Sequence, residues 1–277
     1  MIQKKEILIL VSCYNNEDEV VKFANHLSIQ TFSEKIFLVV SCNSINDKEK
    51  LLKGLGNIGL DYSVLYPQKN LGYLHGCLYG LQHSINLEDF KWVMISNTDI
   101  EFQSNLFIYD LLNENTPKDI WCIAPQIILP NGRRQNPFLI SRPSSKRMIA
   151  WKKIQGNQVG LRLYTKLSHV KRKLVANREG NSDFKNSIIY AAHGSCFILK
   201  PECVVLLSQI NDKIFMYGEE LLIAELIRKN KKKIYYIHDL VVYHNENSTT
   251  RLIDYKRKSM YYKQSYGYLL NVFFQDG

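Results

Sequence analysis

The segment Ser96-Asn97-Thr98-Asp99-Ile100-Glu101 sets an amide and a carboxylate two residues apart, where the apolar run Trp92-Val93-Met94-Ile95 ends. Side chains two apart on an extended segment share a face, so Asn97 and Asp99 can meet one hard cation, with Glu101 in line behind them. A divalent ion in that position can hold a diphosphate. Acids after a strand also serve as solvated turn formers, and the segment alone leaves both readings open. A second acidic pair, Glu219-Glu220, follows Gly218 and opens the helical run Leu221 to Arg228. Acids in a first turn complement the helix dipole. The same dipole keeps a carboxylate ionised, as a general base requires. His244 follows the apolar run Val241-Val242-Tyr243, as a structural histidine or as a ligand. Arg251, Lys256, Arg257 and Lys258 can neutralise phosphate or solvate a tail.

The elements that would carry these groups alternate. Strands are expected at Ile7–Val11, Ile36–Val40, Tyr62–Leu65 and Trp92–Ser96, with helices at Glu17–Leu27, near Asp47–Leu55 and over Gly72–Ile85. The pattern predicts an α/β protein with a mostly parallel sheet and helices on both faces. Ligands gather beyond the carboxyl ends of such strands, here Ser12 to Asn15, Ser41 to Asn43 and Asn97 to Asp99. Neither a dinucleotide fingerprint nor a phosphate loop follows the first strand, and the polar, aromatic turn Ser12 to Glu17 suits a nucleoside better than a bare phosphate. After Asp99 the regularity loosens. Order returns at Ile188–Leu199, interrupted by Gly194, then in a helix from Glu219 to about Lys229 and a strand at Lys233–Ile237.

At 277 residues, 45% hydrophobic and 22% charged, the chain can bury a substantial core. Six cysteines are scattered singly, with no zinc-ligand spacing, and read as buried thiols of a reducing compartment. No leader pattern is expected at the start, and the aromatic stretch Tyr266 to Phe274 is too short to span a bilayer, so a cytoplasmic location is expected. The net charge of +10 concentrates between Asn131 and Tyr190, where fourteen Lys and Arg face two acids. Such a run is a solvated face or a site for anionic head groups or a phosphorylated substrate. No recognition motif supports nucleic acid. Met148, Trp151, Lys152 and Ile154 fit a short amphipathic helix, and Trp151 and Ile154 are expected to enter a head-group layer beside Lys146, Arg147, Lys152, Lys153, Lys171, Arg172 and Lys173.

Taken in order, these segments resemble the inverting family 2 glycosyltransferases of GT-A fold, over nearly the whole chain and with similarity to polysaccharide and rhamnosyltransferase-like members. Ser12-Cys13-Tyr14-Asn15-Asn16-Glu17 is similar to the family's opening turn, and Ser41 to Asp47 to its second strand end. There Asn43 and Asp47 fit, while Cys42 replaces the usual base-contacting Asp. Asn70-Leu71-Gly72 looks like the N-x-G element, Asn97-Thr98-Asp99 like D-x-D, and His193-Gly194-Ser195 like the Gly-Ser turn of the acceptor half. Glu219-Glu220 looks like the E-D pair, and His244 with Ser248 like the H-x-x-x-S element.

The resemblance implies one GT-A domain, with residues 1–101 binding the nucleotide-sugar and residues 102–277 the acceptor, the basic segment 131–190 lying in the second half. It implies metal-dependent transfer, with inversion, of a sugar from a UDP- or dTDP-sugar to a hydroxyl of a saccharide or lipid-diphosphate-linked acceptor, in bacterial surface polysaccharide synthesis at the inner face of the membrane. Ser12, Tyr14, Asn15, Glu17, Asn43, Asp47, Asn70, Gly72, Asn97 and Gly194 would meet the donor. Asp99 and His244 would hold Mg²⁺ or Mn²⁺. Glu220 would be the base, with Glu219 as the alternative. A catalytically inactive scaffold or a basic nucleic-acid-binding protein stands as the alternative function.

Overall fold

The computed structural model describes residues 4–82, 85–176, 185–210, 214–246 and 253–275, and of 82 and 169–176 the backbone alone. Ser248, Arg251, Arg178, Glu179 and Asp183 lie outside the described residues, as do the side chains of Lys171, Arg172 and Lys173.

β1 (Ile7–Tyr14) begins with five residues from which solvent is excluded. Both of its faces are covered, as in the interior of a parallel sheet. β2 (Ile36–Ser44), β3 (Asp61–Leu65) and β4 (Trp92–Ser96) run parallel to it in the order β3-β2-β1-β4. The same sheet continues through β8 (Cys196–Leu199), β6 (Ile120–Ile128), β9 (Lys233–His244) and β5 (Ile100–Phe102). β8 is antiparallel to β4 and β6, β9 is parallel to β6, and β5 is antiparallel to β9. β7 (Ser187–Ile189) also pairs with β9.

Alternate residues feed two cores. Ile7, Ile9 and Val11 meet α1 (Glu17–Ser28), α2 (Lys48–Gly56) and α4 (Phe107–Asn113) through Phe23, Leu51 and Leu111. Leu8 and Leu10 face α3 (Tyr73–Tyr79), α7 (Pro201–Ser208), α8 (Glu219–Lys229) and α9 (Tyr255–Phe273) through Cys77, Leu207, Ile223 and Leu269. α5 (Ser145–Gln155) and α6 (Gln158–Ala176) pack on α9. Ser144 and Asp254 cap α5 and α9 by accepting the amides of Arg147 and Arg257.

Several boundaries differ from the sequence pattern. The helix expected over Gly72–Ile85 is α3, which ends at Tyr79 and passes into a 3₁₀ turn at Gly80–Gln82. Gly76 and Gly80 weaken its interior and end. The run Ile188–Leu199 divides into β7 and β8 around a turn that carries His193 and Gly194. Lys233–Ile237 and Val241–His244 form one strand whose register against β6 shifts at Pro125/Gln126.

The basic segment also departs from a uniform solvated face. Arg142 makes a bidentate pair with the fully buried Glu225, at 2.7 and 3.1 Å, and donates to the Phe273 carbonyl. Arg228 and the Tyr190 hydroxyl complete the shell of Glu225. Trp151 is not free to enter a head-group layer, because it packs on Tyr266 with ring centroids 6.2 Å apart and is capped by Arg147 at 4.7 Å. Ile154 is exposed. Among the described residues no helix is long and apolar enough to cross a membrane.

Candidate active site

Beyond the carboxyl ends of β1, β2 and β4 opens a cleft of about 870 Å³. Strand register builds its floor. Ile100 of β5 stands opposite His244 of β9, and the Asn245 amide donates to the Asp99 carbonyl at 3.0 Å, so the end of β9 is laid beside the turn after β4. His244 Nε2 thereby lies 3.2 Å from Asp99 Oδ1.

The proton inventory at this pair is asymmetric. Gln135 donates its amide to Glu246 (3.2 Å), leaving Oε1 to face His244 Nδ1 at 2.7 Å. Nδ1 donates to that oxygen, and Nε2 is the ring nitrogen on the Asp99 side. Asn97 Nδ2 stands 3.4 Å from the same nitrogen. Both Asp99 oxygens are buried and accept no hydrogen bond. Two buried carboxylate oxygens that accept no hydrogen bond among the described residues, with an imidazole nitrogen 3.2 Å from one of them, are donors that fit a divalent cation completed by substrate oxygens.

The same cleft is lined by a pair of carboxylates. Tyr217 and Gly218 both have left-handed backbone (φ 64° and 101°) and turn the chain abruptly into α8, so that Glu219 and Glu220 start the helix at the cleft wall. Gly194 makes room for them: a Cβ there would stand 2.9 Å from Glu220 Oε1 and 3.3 Å from Glu219 Oε1. The Tyr73 hydroxyl fixes this turn by donating to the Gly194 carbonyl (2.8 Å). Burial, then the charge of Glu220, pushes Glu219 well above the usual carboxylate range, and its Oε2 has no partner. Burial also raises Glu220, but backbone N–H groups of Glu220, Gly218 and Gly194 pull against it. Glu219 is raised the further of the two, and the backbone amides favour the charged form of Glu220. Burial, with His244 and Arg133 nearby, lowers His193 to about 3, so it is a neutral wall of the site.

Of the residues expected to meet the donor, Ser12, Tyr14, Asn43, Asn70, Gly72, Asn97 and Gly194 line the cleft together with Asp99, His244, Glu219 and Glu220. Asn43 is also a brace: it donates to Ser12 Oγ and the Gly72 carbonyl and accepts from the Leu71 amide. Gly72 (φ 78°) is where the chain crosses the Phe215 carbonyl, which any Cβ would overlap. Asn15, Glu17 and Asp47 are not in the lining. Asn15 accepts from Ser44 Oγ, Glu17 accepts the Asn46 and Asp47 amides, and Asp47 caps α2. Glu101 pairs with Lys22 and Asn245 instead of standing with Asp99. Cys42 lies buried beside Cys13, its register partner, and offers nothing to the cleft.

Two features went unread in the sequence. Gln135 comes from an irregular segment held by Asn136, which donates to the Pro125 carbonyl and accepts the His193 amide. The other is an aromatic wall. Tyr217 stacks on Tyr262 at 4.5 Å, Tyr262 meets Tyr266 at 5.6 Å, and Tyr266 meets Trp151. The signal available for it was the repeated Tyr pairs of α9, which gained meaning only through packing.

No family model matches the chain, and no curated protein matches it in sequence. Solved structures match its fold. A mannosyltransferase, PcManGT from Pyrobaculum calidifontis, in complex with GDP-Man and Mn²⁺, superposes with a TM-score of 0.55 at 10% identity, covering 97% of this chain and 71% of that one. GalNAc-T7 with UDP, GalNAc and Mn²⁺ gives 0.57 at 13%, over 88% of this chain and 44% of that one. S. aureus TarS 1–349 gives 0.56 at 11%, over 98% and 74%. At these identities the likeness concerns architecture: the chain adopts the α/β fold of the GT-A glycosyltransferases, with a curled sheet flanked by helices.

Proposed function

We propose that the protein is an inverting glycosyltransferase that uses a nucleotide-diphosphate sugar and a divalent cation. The observation that carries this reading is that the Asp99–His244 pair and the Glu219–Glu220 pair line one cleft. The matched structures, solved with GDP-Man, with UDP and GalNAc, or with UDP-GlcNAc, lend support to a nucleotide-sugar donor. Ser12, Tyr14, Asn43 and Asn70 line the donor end, with the exposed Tyr14 ring available to stack on a base.

Asp99 and His244 Nε2 would hold Mg²⁺ or Mn²⁺, which when bound absorbs charge on the departing diphosphate. Glu220 accepts the proton of the acceptor hydroxyl as its oxygen bonds to the anomeric carbon and the bond from that carbon to the diphosphate oxygen breaks, the electron pair leaving with the diphosphate. The aromatic wall from Tyr217 to Trp151 suits the apolar faces of a saccharide acceptor. Assignment to surface polysaccharide synthesis rests on the sequence resemblance alone.

A screen of UDP-, dTDP- and GDP-sugars tests the reading. One of them should raise the melting temperature only when Mg²⁺ or Mn²⁺ is present, and should be hydrolysed slowly without acceptor. Stabilisation by none, or equally with chelator, would overturn it.

A further inference from the structure

The outward side of α6 has the wrong chemistry for a solvated face. Leu161 points inward and is buried, but Val159, Leu163 and Leu167 recur every four residues on the outer side and are 64%, 56% and 68% exposed. Exposed apolar residues aligned on one helix face mark a surface that something covers. On α5, Ile149 and Ile154 are exposed as well.

The charges around this stripe say what covers it. From Asn131 through Ala176 the sequence has no Asp or Glu, while α5 and α6 carry Lys146, Arg147, Lys152, Lys153, Arg162 and Lys166 among their basic residues. A second copy presenting the same face would bring cation against cation. The occupant must combine an apolar interior with an anionic surface, and Lys166, set between Leu163 and Leu167, can extend its head past the apolar stem to meet it. Tyr164, on the same helix, lines the cleft, so the stripe and the cleft share one element.

We propose that the α5–α6 face docks on an anionic lipid bilayer, with Val159, Leu163 and Leu167 entering the head-group boundary and the exposed Lys146, Lys153 and Lys166 lying against lipid phosphates. This replaces Trp151 as the anchor. It does not depend on the transfer reaction.

The test is co-sedimentation of the full chain with vesicles of phosphatidylcholine alone or mixed with phosphatidylglycerol, at low and high salt. The chain should pellet with the anionic vesicles and be released as salt rises. Leu163→Ser and Leu167→Ser should each weaken partitioning roughly ten-fold, and Lys153→Gln and Lys166→Gln each about five-fold, with melting temperatures unchanged. Equal recovery on neutral and anionic vesicles, no recovery on either, or unaltered partitioning of the folded variants would overturn the proposal. So would a dimer, seen by sedimentation velocity without lipid, that Leu163→Ser dissociates, since the stripe would then be a protein interface.

Discussion

His244 turns its Nε2 toward Asp99, 3.2 Å away, while Gln135 holds the opposite ring nitrogen. Glu246 orients Gln135 in turn. The relay from Glu246 through Gln135 is a ring lock that fixes His244 with Nε2 on the carboxylate side.

Gln135→Leu removes the partner of Nδ1 and frees the ring to flip. Mn²⁺ affinity should fall on the order of 10–100-fold, read by electron paramagnetic resonance titration, with the melting temperature in chelator unchanged. Wild-type affinity in this variant would show that the lock has no role.

Glu220→Gln keeps shape and removes the base, so turnover should fall by a factor on the order of 10²–10⁴ while donor affinity holds. Glu219→Gln should cost far less. If the ranking is reversed in single-turnover assays, the roles of the two carboxylates are exchanged.

The raised Glu219 gives a pH signature. A group with a folded value above its unfolded value contributes stability that is fully present below the unfolded value and is lost as pH rises through the folded one. Glu219→Gln should therefore melt higher than wild type at neutral pH, and the gap should close as the medium is acidified below the ordinary glutamate range. Parallel melting curves across that window would contradict the assignment. Turnover should rise with pH through an inflection above the ordinary glutamate value, because burial raises Glu220 too.

Arg142 stands at the surface in the basic segment, but its guanidinium pairs with the buried Glu225. Arg142→Met leaves Glu225 with Arg228 and Tyr190 alone, and stability in denaturant should fall by about 3 kcal/mol. The exposed Lys153→Met should stay within about 0.5 kcal/mol. Equal effects would mean that Arg142 is a surface charge like the others.

How much of this was legible depended on how local each signal was. β1 and β4 announce themselves as unbroken apolar runs, and Asn97 to Asp99 are readable because they follow a strand end directly. β6 was hidden by Pro125, which the sheet accommodates where the β6–β9 register shifts. Gly76 and Gly80 shorten α3, a tertiary choice that its apolar spacing did not reveal. Gln135 had no chemical signature, since its role exists only through the placement of His244 and Glu246, more than a hundred residues away. Tyr217, Tyr262, Tyr266 and Trp151 become a wall only when α5 and α9 pack beside the turn before α8. Arg142 looked like the rest of its charge run because Glu225 sits in an otherwise apolar helix face.

The role of Asp99 as a cation ligand is decided by calorimetric titration of the stabilising nucleotide-sugar, with and without Mn²⁺, on wild type and Asp99→Ala. Wild type should bind tightly only with the cation, and a folded Asp99→Ala should bind weakly and independently of it. Equal affinity in all four titrations would contradict that role.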